Sequence, residues 1–286
     1  MFRSKIKSYC KINLFLKVLN KLKNNYHTIV TLVTFSELHD LIFISKIEKS
    51  RDVISFTGKY KKGINKKKNT ITKLLHILRK NKLMRNNFFR INIQKNIPHG
   101  SGLGGGSSNA AFLLKYLNFK LKFKLTKKNI NKIAKQIGFD APICLEKRNS
   151  FITGYKNEII RLKKNFKLNL IIVYPGIVCS TKKIYNKNKI RSKRPNFPIN
   201  FKNNLRLIEY LKRENNDLEK AAISIYPKIN GIINYIKSQK GCHFSRISGS
   251  GSACIGIFSN MKQAIRAQKR IKFKYPNYWC AVSKTI

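Results

Sequence analysis

The chain has 286 residues, of which 42% are hydrophobic and 11% aromatic, enough to bury a sizeable core in one large or two modest domains. Its 61 Lys and Arg against 11 Asp and Glu give a formal net charge of +50, the balance of a nucleic-acid binder. No run approaches the roughly 18 consecutive apolar residues that span a bilayer, the basic N-terminus lacks an apolar signal core, and Cys10, Cys144, Cys179, Cys242, Cys254 and Cys280 are scattered without a C-x-x-C pair or zinc-finger histidines. A soluble, cytoplasmic chain in a reducing compartment is expected, with no membrane partner and no structural metal.

The charge excess runs along the whole chain instead of forming one arm, and it accompanies abundant Asn and Ile. Lys, Asn and Ile share AT-rich codons, so the lysines read as a solvated coat set by mutational bias. A basic nucleic-acid-binding protein is the competing class. The coat itself predicts only salt-sensitive, non-specific binding to nucleic acid.

In chain order, Lys11 to Val18 alternates as a strand, and Thr28 to Phe35 and Leu41 to Ile47 add β-branched and aromatic runs bounded by polar residues. Arg51 to Asn69 mixes a short apolar stretch with Gly58, Gly63 and a lysine cluster, which predicts a hairpin or exposed loop. Ile71, Leu74, Leu75 and Leu78 recur at helical spacing. Phe88 to Gln94 then alternates as a strand, a glycine-rich run follows, and Ala110 to Leu117 has the composition of a helix. Asn129 to Ile137 reads as a helix stopped by Gly138. Leu168 to Tyr174 reads as a strand closed by Pro175-Gly176, and Lys187 to Pro198 as a loop. Helices are predicted around Leu205 to Lys212, Ile229 to Ser238 and Lys262 to Ile271, with strands near Cys254 to Phe258 and at the end. The mixture is α+β, with a domain boundary near residues 155 to 165 and domains over 1–160 and 161–286.

The most informative segment is Pro98-His99-Gly100-Ser101-Gly102-Leu103-Gly104-Gly105-Gly106-Ser107-Ser108-Asn109, with five glycines in seven residues. Such a run lets the backbone approach a ligand and adopt positive φ. Ser107, Ser108 and Asn109 stand where a helix would begin, so free N–H groups and the helix dipole would favour a phosphate. Gly100, Gly102 and Gly105 match the dinucleotide fingerprint, but the acid expected about 20 residues later is missing. The Gly-Lys-Ser/Thr of P-loop enzymes and the motif set of protein kinases are also missing. Asp140 is the only acid between Asp52 and Glu146, at the end of a helix.

The glycine run resembles the second motif of the GHMP kinases. Tyr9-Cys10-Lys11-Ile12-Asn13-Leu14-Phe15-Leu16 is similar to the first, and Arg246-Ile247-Ser248-Gly249-Ser250-Gly251-Ser252-Ala253-Cys254 to the last. The three stand in the family's order over most of the chain. Departures are Tyr9-Cys10 for the usual Pro-Ala, and Phe139 and Ala141 flanking Asp140 where Ala and Val are common. The resemblance implies a two-domain GHMP kinase fold, with an N-terminal domain like ribosomal protein S5 domain 2 and a C-terminal ferredoxin-like α/β domain.

It further implies ATP and Mg²⁺ as cofactors, with no metal ligand assigned beyond a possible contact from Ser107 or Ser108. The nucleotide would be bound by Pro98, His99, Gly100, Ser101, Gly102, Leu103, Gly104, Gly105, Gly106, Ser107, Ser108 and Asn69. Asp140 would accept the proton of the substrate hydroxyl and Lys11 would hold Asp140 and the reacting oxygen. Orientation with late proton acceptance is expected rather than early deprotonation. Asn24-Asn25-Tyr26-His27 and Pro175-Gly176-x-x-x-Ser180-Thr181-x-x-x-Tyr185 resemble segments of the branch that phosphorylates diphosphocytidyl-methylerythritol in non-mevalonate isoprenoid synthesis. There Tyr26 and Tyr185 would cover the two faces of cytosine, His27 would read its edge, Thr181 would lie in the same site, and Asn13 would contact the methylerythritol end. The partners are then that substrate and ATP, with no specific nucleic acid, in a monomer or homodimer. Homoserine- or mevalonate-type kinases are the alternative within the family.

Overall fold

The computed structural model describes residues 3–22, 27–154, 158–197 and 201–286. The chain divides into two compact units, one built from Met1–Lys11, Leu38–His99 and Gly104–Lys147, the other from Ile12–Glu37, Gly100–Leu103 and Arg148–Ile286. This differs from the single cut expected at residue 160. Strands β1 (Arg3–Lys21) and β2 (His27–Ile47) are long enough to contribute to both units, so no one point in the sequence separates them.

The runs Thr28 to Phe35 and Leu41 to Ile47 form one strand, not two, because the polar residues between them find partners in place. Ser36 bridges to Thr285, and the Asp40 carboxylate accepts from the amides of Asn96 and Ile97 at 2.8 and 2.9 Å. Similarly, β3 (Val53–Thr57) replaces the expected hairpin. It pairs in parallel with β4 (Phe88–Gln94), and β4 pairs antiparallel with the second half of β2. Asp52 fixes the start of β3 by accepting from Arg79 at 2.7 Å and from the amide of Phe89 at 2.9 Å.

Helix α1 (Thr70–Lys80) buries Ile71, Leu74, Leu75 and Leu78 as their spacing requires. Its N-cap Asn69 forms a capping box with Thr72. Helix α2 (Gly105–Lys120) begins earlier than the serines suggested, because Gly104, at φ 65°, serves as its N-cap. After it come α3 (Lys127–Ile137) and the single turn α4 (Ala141–Cys144) with Asp140 at its N-cap.

In the other unit, β5 (Ser150–Thr153) pairs antiparallel with β6 (Glu158–Arg161) and with the first half of β2. Next come β7 (Asn169–Tyr174), α5 (Thr181–Lys187), α6 (Asn204–Arg213), α7 (Glu219–Ile225), α8 (Lys228–Lys237), β8 (Cys242–Ile247), β9 (Cys254–Phe258), α9 (Met261–Lys274) and β10 (Trp279–Lys284). The four strands from β7 onward form an antiparallel sheet in the order β10-β7-β9-β8. With α8 and α9 as its crossovers this is the ferredoxin-like βαββαβ arrangement. Ile229, Ile232, Ile233 and Ile236 from α8 and Ala264, Ala267 and Ile271 from α9 close its core over Ile171, Val173, Cys254 and Phe258.

Gly256, at the centre of β9, has no room for a side chain, since a Cβ there would overlap the Cγ2 of buried Ile236 and stand 3.1 Å from the Phe258 ring. Gly256→Ala is therefore predicted to destabilise the protein by about 1–3 kcal/mol through overpacking. Urea unfolding measures it, and an unchanged midpoint would show that α8 can move away at no cost.

Candidate active site

Lys11 sits on β1 with only 5% of its surface exposed, which sets it apart from a solvated surface lysine. Its stem passes directly over Gly104. A Cβ at that position would approach the Lys11 Cγ to 2.5 Å and the Cε to 3.0 Å, so the absence of a side chain there makes the path of the lysine possible. The path ends at Asp140, with Lys11 Nζ 3.3 Å from its Oδ2. The Asp140 side chain is 38% exposed, so it remains open to a ligand while the lysine is buried.

Beside this pair lies the first turn of α2. Gly104 brings no capping side chain, and no acid stands in that turn, which leaves the dipole and leading amides suited to an anion. Ser108 is fully buried; its hydroxyl donates to the Tyr9 carbonyl at 2.5 Å and accepts from Ser8 at 3.1 Å. It anchors α2 to β1, and of the two serines Ser107 is the one with partial exposure. Thr70 donates to the Gly106 carbonyl at 2.7 Å, tying the start of α1 to that of α2. The Asn69 side chain accepts from the amides of Ile71 and Thr72 and donates to the carbonyls of Asn65 and Lys66. Its amide is thus spent on shaping the loop before α1. Pro98 is buried, and His99 donates through Nε2 to the Lys62 carbonyl at 2.7 Å.

Two residues that sequence reasoning missed, Asp40 and Lys95, lie beneath this turn together with Asn109. Asp40, Lys95 and Asn109 are almost fully buried; Lys95 Nζ contacts Asp40 Oδ2, which also accepts from Asn109 Nδ2 at 3.0 Å. The available signal was slight, since Asp40 ends a mostly polar stretch, Ser36 to Asp40, between two apolar runs.

In the other unit, Gly102 meets the loop of residues 248–253, while Gly100 faces Val178. A Cβ on Gly102 would stand 2.5 Å from the Ser248 carbonyl oxygen, and Ala253 donates its amide to the Ser101 carbonyl at 3.0 Å. Leu103 is buried. Asn13 is also buried, its amide donating to Ser248 Oγ at 3.1 Å and its Nδ2 to Thr31 Oγ1 at 2.9 Å. His27 and Tyr185 face each other with ring centroids 5.0 Å apart and a 34° tilt, too close for a base to enter between them. Burial lowers the His27 pKa from 6.5, and the charges of Arg191 and Lys21 add to the effect. Thr181 shares a hydrogen bond with Ser250 at 3.0 Å. Tyr26 lies outside the described residues. Among the described residues no three His, Cys, Asp or Glu converge as a metal site, and no helix is long and apolar enough to cross a membrane.

A buried lysine paired with an open carboxylate, set beside an uncapped helix start that opens on Gly104, Gly105 and Gly106, suits transfer of a phosphoryl group to an alcohol. Comparison with known proteins agrees. The GHMP kinases N terminal domain model matches residues 69–148 and the GHMP kinases C terminal model matches residues 199–277, and the chain belongs to the GHMP kinase family, whose members use ATP as phosphate donor. Over 282 residues it is 39% identical to the 4-diphosphocytidyl-2-C-methyl-D-erythritol kinase of Pelagibacter ubique strain HTCC1062, covering 99% of each chain. It is 32% identical to the enzyme of the same name from Wolbachia pipientis wMel, covering 98% of this chain and 100% of the relative. A crystal structure of 4-(cytidine 5'-diphospho)-2C-methyl-D-erythritol kinase superposes with a TM-score of 0.79 at 24% identity over 99% of both chains, a likeness of fold.

Gly104→Val is predicted to abolish nucleotide binding, because the added side chain both displaces the Lys11 stem and obstructs the start of α2. Calorimetric titration with ATP checks this, and binding at wild-type strength would remove the α2 N-terminus as the phosphate seat.

Proposed function

We propose that the chain is the ATP-dependent kinase that phosphorylates the 2-hydroxyl of 4-diphosphocytidyl-2-C-methyl-D-erythritol, a step of non-mevalonate isopentenyl diphosphate synthesis. The observation that carries the chemistry is the 3.3 Å pair between buried Lys11 and exposed Asp140. The substrate class rests on the two full-length relatives that share one name and on the facing rings of His27 and Tyr185.

The glycine loop of residues 100–106 and the leading amides of α2 hold the ATP phosphates. Asp140 accepts a hydrogen bond from the acceptor hydroxyl and orients its oxygen in line with the γ-phosphorus. As the new O–P bond forms, the bond from that phosphorus to the β,γ-bridging oxygen breaks, ADP leaves, and the hydroxyl proton passes late to the Asp140 carboxylate. Lys11 holds Asp140 and neutralises charge on the oxygens around the transferring group. Such positioning accounts for most of the catalysis available to a phosphoryl transfer. Mg²⁺ bound with ATP supplies further neutralisation of the phosphates. Ser107, partly exposed on the first turn of α2, is the side chain that would contact the ion.

On the acceptor side Tyr26 and Tyr185 stack on cytosine, His27 reads its edge beside Tyr185, and Asn13 and Thr181 contact the remainder of the substrate. Tyr185→Ala and Tyr26→Ala each remove stacking of about 1–3 kcal/mol per base. The acceptor KM is expected to rise accordingly with the ATP KM unchanged; equal losses for both substrates would remove the cytidine assignment. His27, with its pKa held below 6.5, stays neutral to lower pH than a free histidine. The acceptor KM should therefore be flat above pH 6.5 and climb only as pH falls through the lowered value. A rise beginning above pH 6.5 would count against a neutral His27 in the site.

Asp140→Asn preserves size and removes charge. Turnover is predicted to fall on the order of 10²- to 10⁴-fold with ATP binding retained, while the unfolding midpoint falls only modestly, because the Asn oxygen still accepts from buried Lys11. Near wild-type turnover in the folded variant would reduce Asp140 to a turn residue.

A further inference from the structure

We propose, on the reading that the ATP phosphates sit at the first turn of α2, that the buried Asp40–Lys95 pair sets the affinity of that turn for nucleotide. Asp40 pins the turn, and Lys95 cancels the field that the pinning carboxylate would otherwise impose on the phosphates.

Asp40 is fully buried and gathers four donors: the amides of Asn96 and Ile97 at 2.8 and 2.9 Å, Asn109 Nδ2 at 3.0 Å, and Lys95 Nζ. Asn96 and Ile97 lead from β4 into Pro98, and Asn109 stands on the second turn of α2. One carboxylate thus fixes both the entry to the glycine loop and the helix that leaves it. The position is close to the phosphate seat, since a Cβ on Gly105 would stand 3.6 Å from Asp40 Oδ2 and 3.3 Å from Lys95 Nζ.

Asp40 alone at the start of a helix would be held by the same dipole that attracts phosphate, and its charge would repel ATP through a medium that screens poorly. Lys95, itself only 3% exposed, makes the device neutral, and its additional contact to Asn109 Oδ1 at 3.4 Å keeps the ammonium under the turn. A neutral amide offers one oxygen where this site uses two, so an Asn here still accepts from one side of the turn while carrying no charge. These are positioning residues: neither touches a reacting atom.

The electrostatic part separates from a structural one by sign. Lys95→Met leaves an uncompensated carboxylate under the turn and should raise the ATP KM on the order of tenfold. Asp40→Asn leaves an uncompensated ammonium and should give an ATP KM well below that of Lys95→Met. The neutral double variant Asp40→Asn with Lys95→Met should lie between them. The acceptor KM should stay unchanged throughout. Removing one partner of a buried pair can unfold a protein, while neutralising both is often tolerated; urea midpoints are measured alongside. If Lys95→Met does not fold, Asp40→Asn against the double variant still isolates the Lys95 charge, with the lower ATP KM predicted for Asp40→Asn. An ATP KM that rises equally in both single variants, or that follows the loss of stability alone, would overturn the proposal. Failure of the α2 reading itself looks different, because Gly104→Val would then leave ATP binding intact.

Discussion

The contact between the Lys11 stem and the bare backbone of Gly104 is the constraint on which the rest of the candidate site depends. An ammonium at a buried position is costly unless it is paired. The lysine reaches its partner Asp140 only because no Cβ stands in the way. The same Gly104, in its left-handed conformation, starts α2 and so aims that helix's first amides. One glycine therefore sets the route of a charge, the start of a helix dipole and the location of a carboxylate relative to both.

Five of the eleven acids of this lysine-rich chain stand where a carboxylate has a specific task. Asp52 receives Arg79 and a strand amide, Asp217 receives the amide of Val18, and Glu219 receives that of Ile247. Asp40 gathers the entry to the glycine loop. Asp140 differs from the buried members of this set in being open to solvent, which is the condition for meeting a substrate. Each of these carboxylates meets backbone amides or a paired cation. Exposed pairs such as Arg206–Glu209 add little by comparison.

Much of the fold was legible wherever one face of an element is buried. The Ile229, Ile232, Ile233, Ile236 stripe and the Ile71 to Leu78 stripe gave their helices, and the run Leu168 to Tyr174 read as a strand, which the structure places at Asn169–Tyr174 with all but its first residue buried. Elements with weak or short patterns were missed: β5 and β6 have four residues each, and α5 is a seven-residue helix made mostly of polar side chains. Long-range pairing also overrode local signals. Nothing local shows that β3 will lie parallel to β4, or that β2 will run through Ser36 and Asp40 without a break. At the site, motif residues were legible because glycines and an isolated acid are conspicuous in the sequence. The Asp40, Lys95 and Asn109 cluster was not, because one more lysine among 61 basic residues carries no local mark and its meaning lies in a partner 55 positions away.

On the proposed function, this GHMP scaffold serves a cytidine-linked alcohol. The most direct test of this is ³¹P NMR of the purified chain with Mg-ATP and, separately, 4-diphosphocytidyl-2-C-methyl-D-erythritol, mevalonate and homoserine. The predicted result is ADP formation with one new phosphomonoester signal from the diphosphocytidyl substrate alone. Equal or faster turnover of mevalonate or homoserine, with none of the diphosphocytidyl compound, would contradict it.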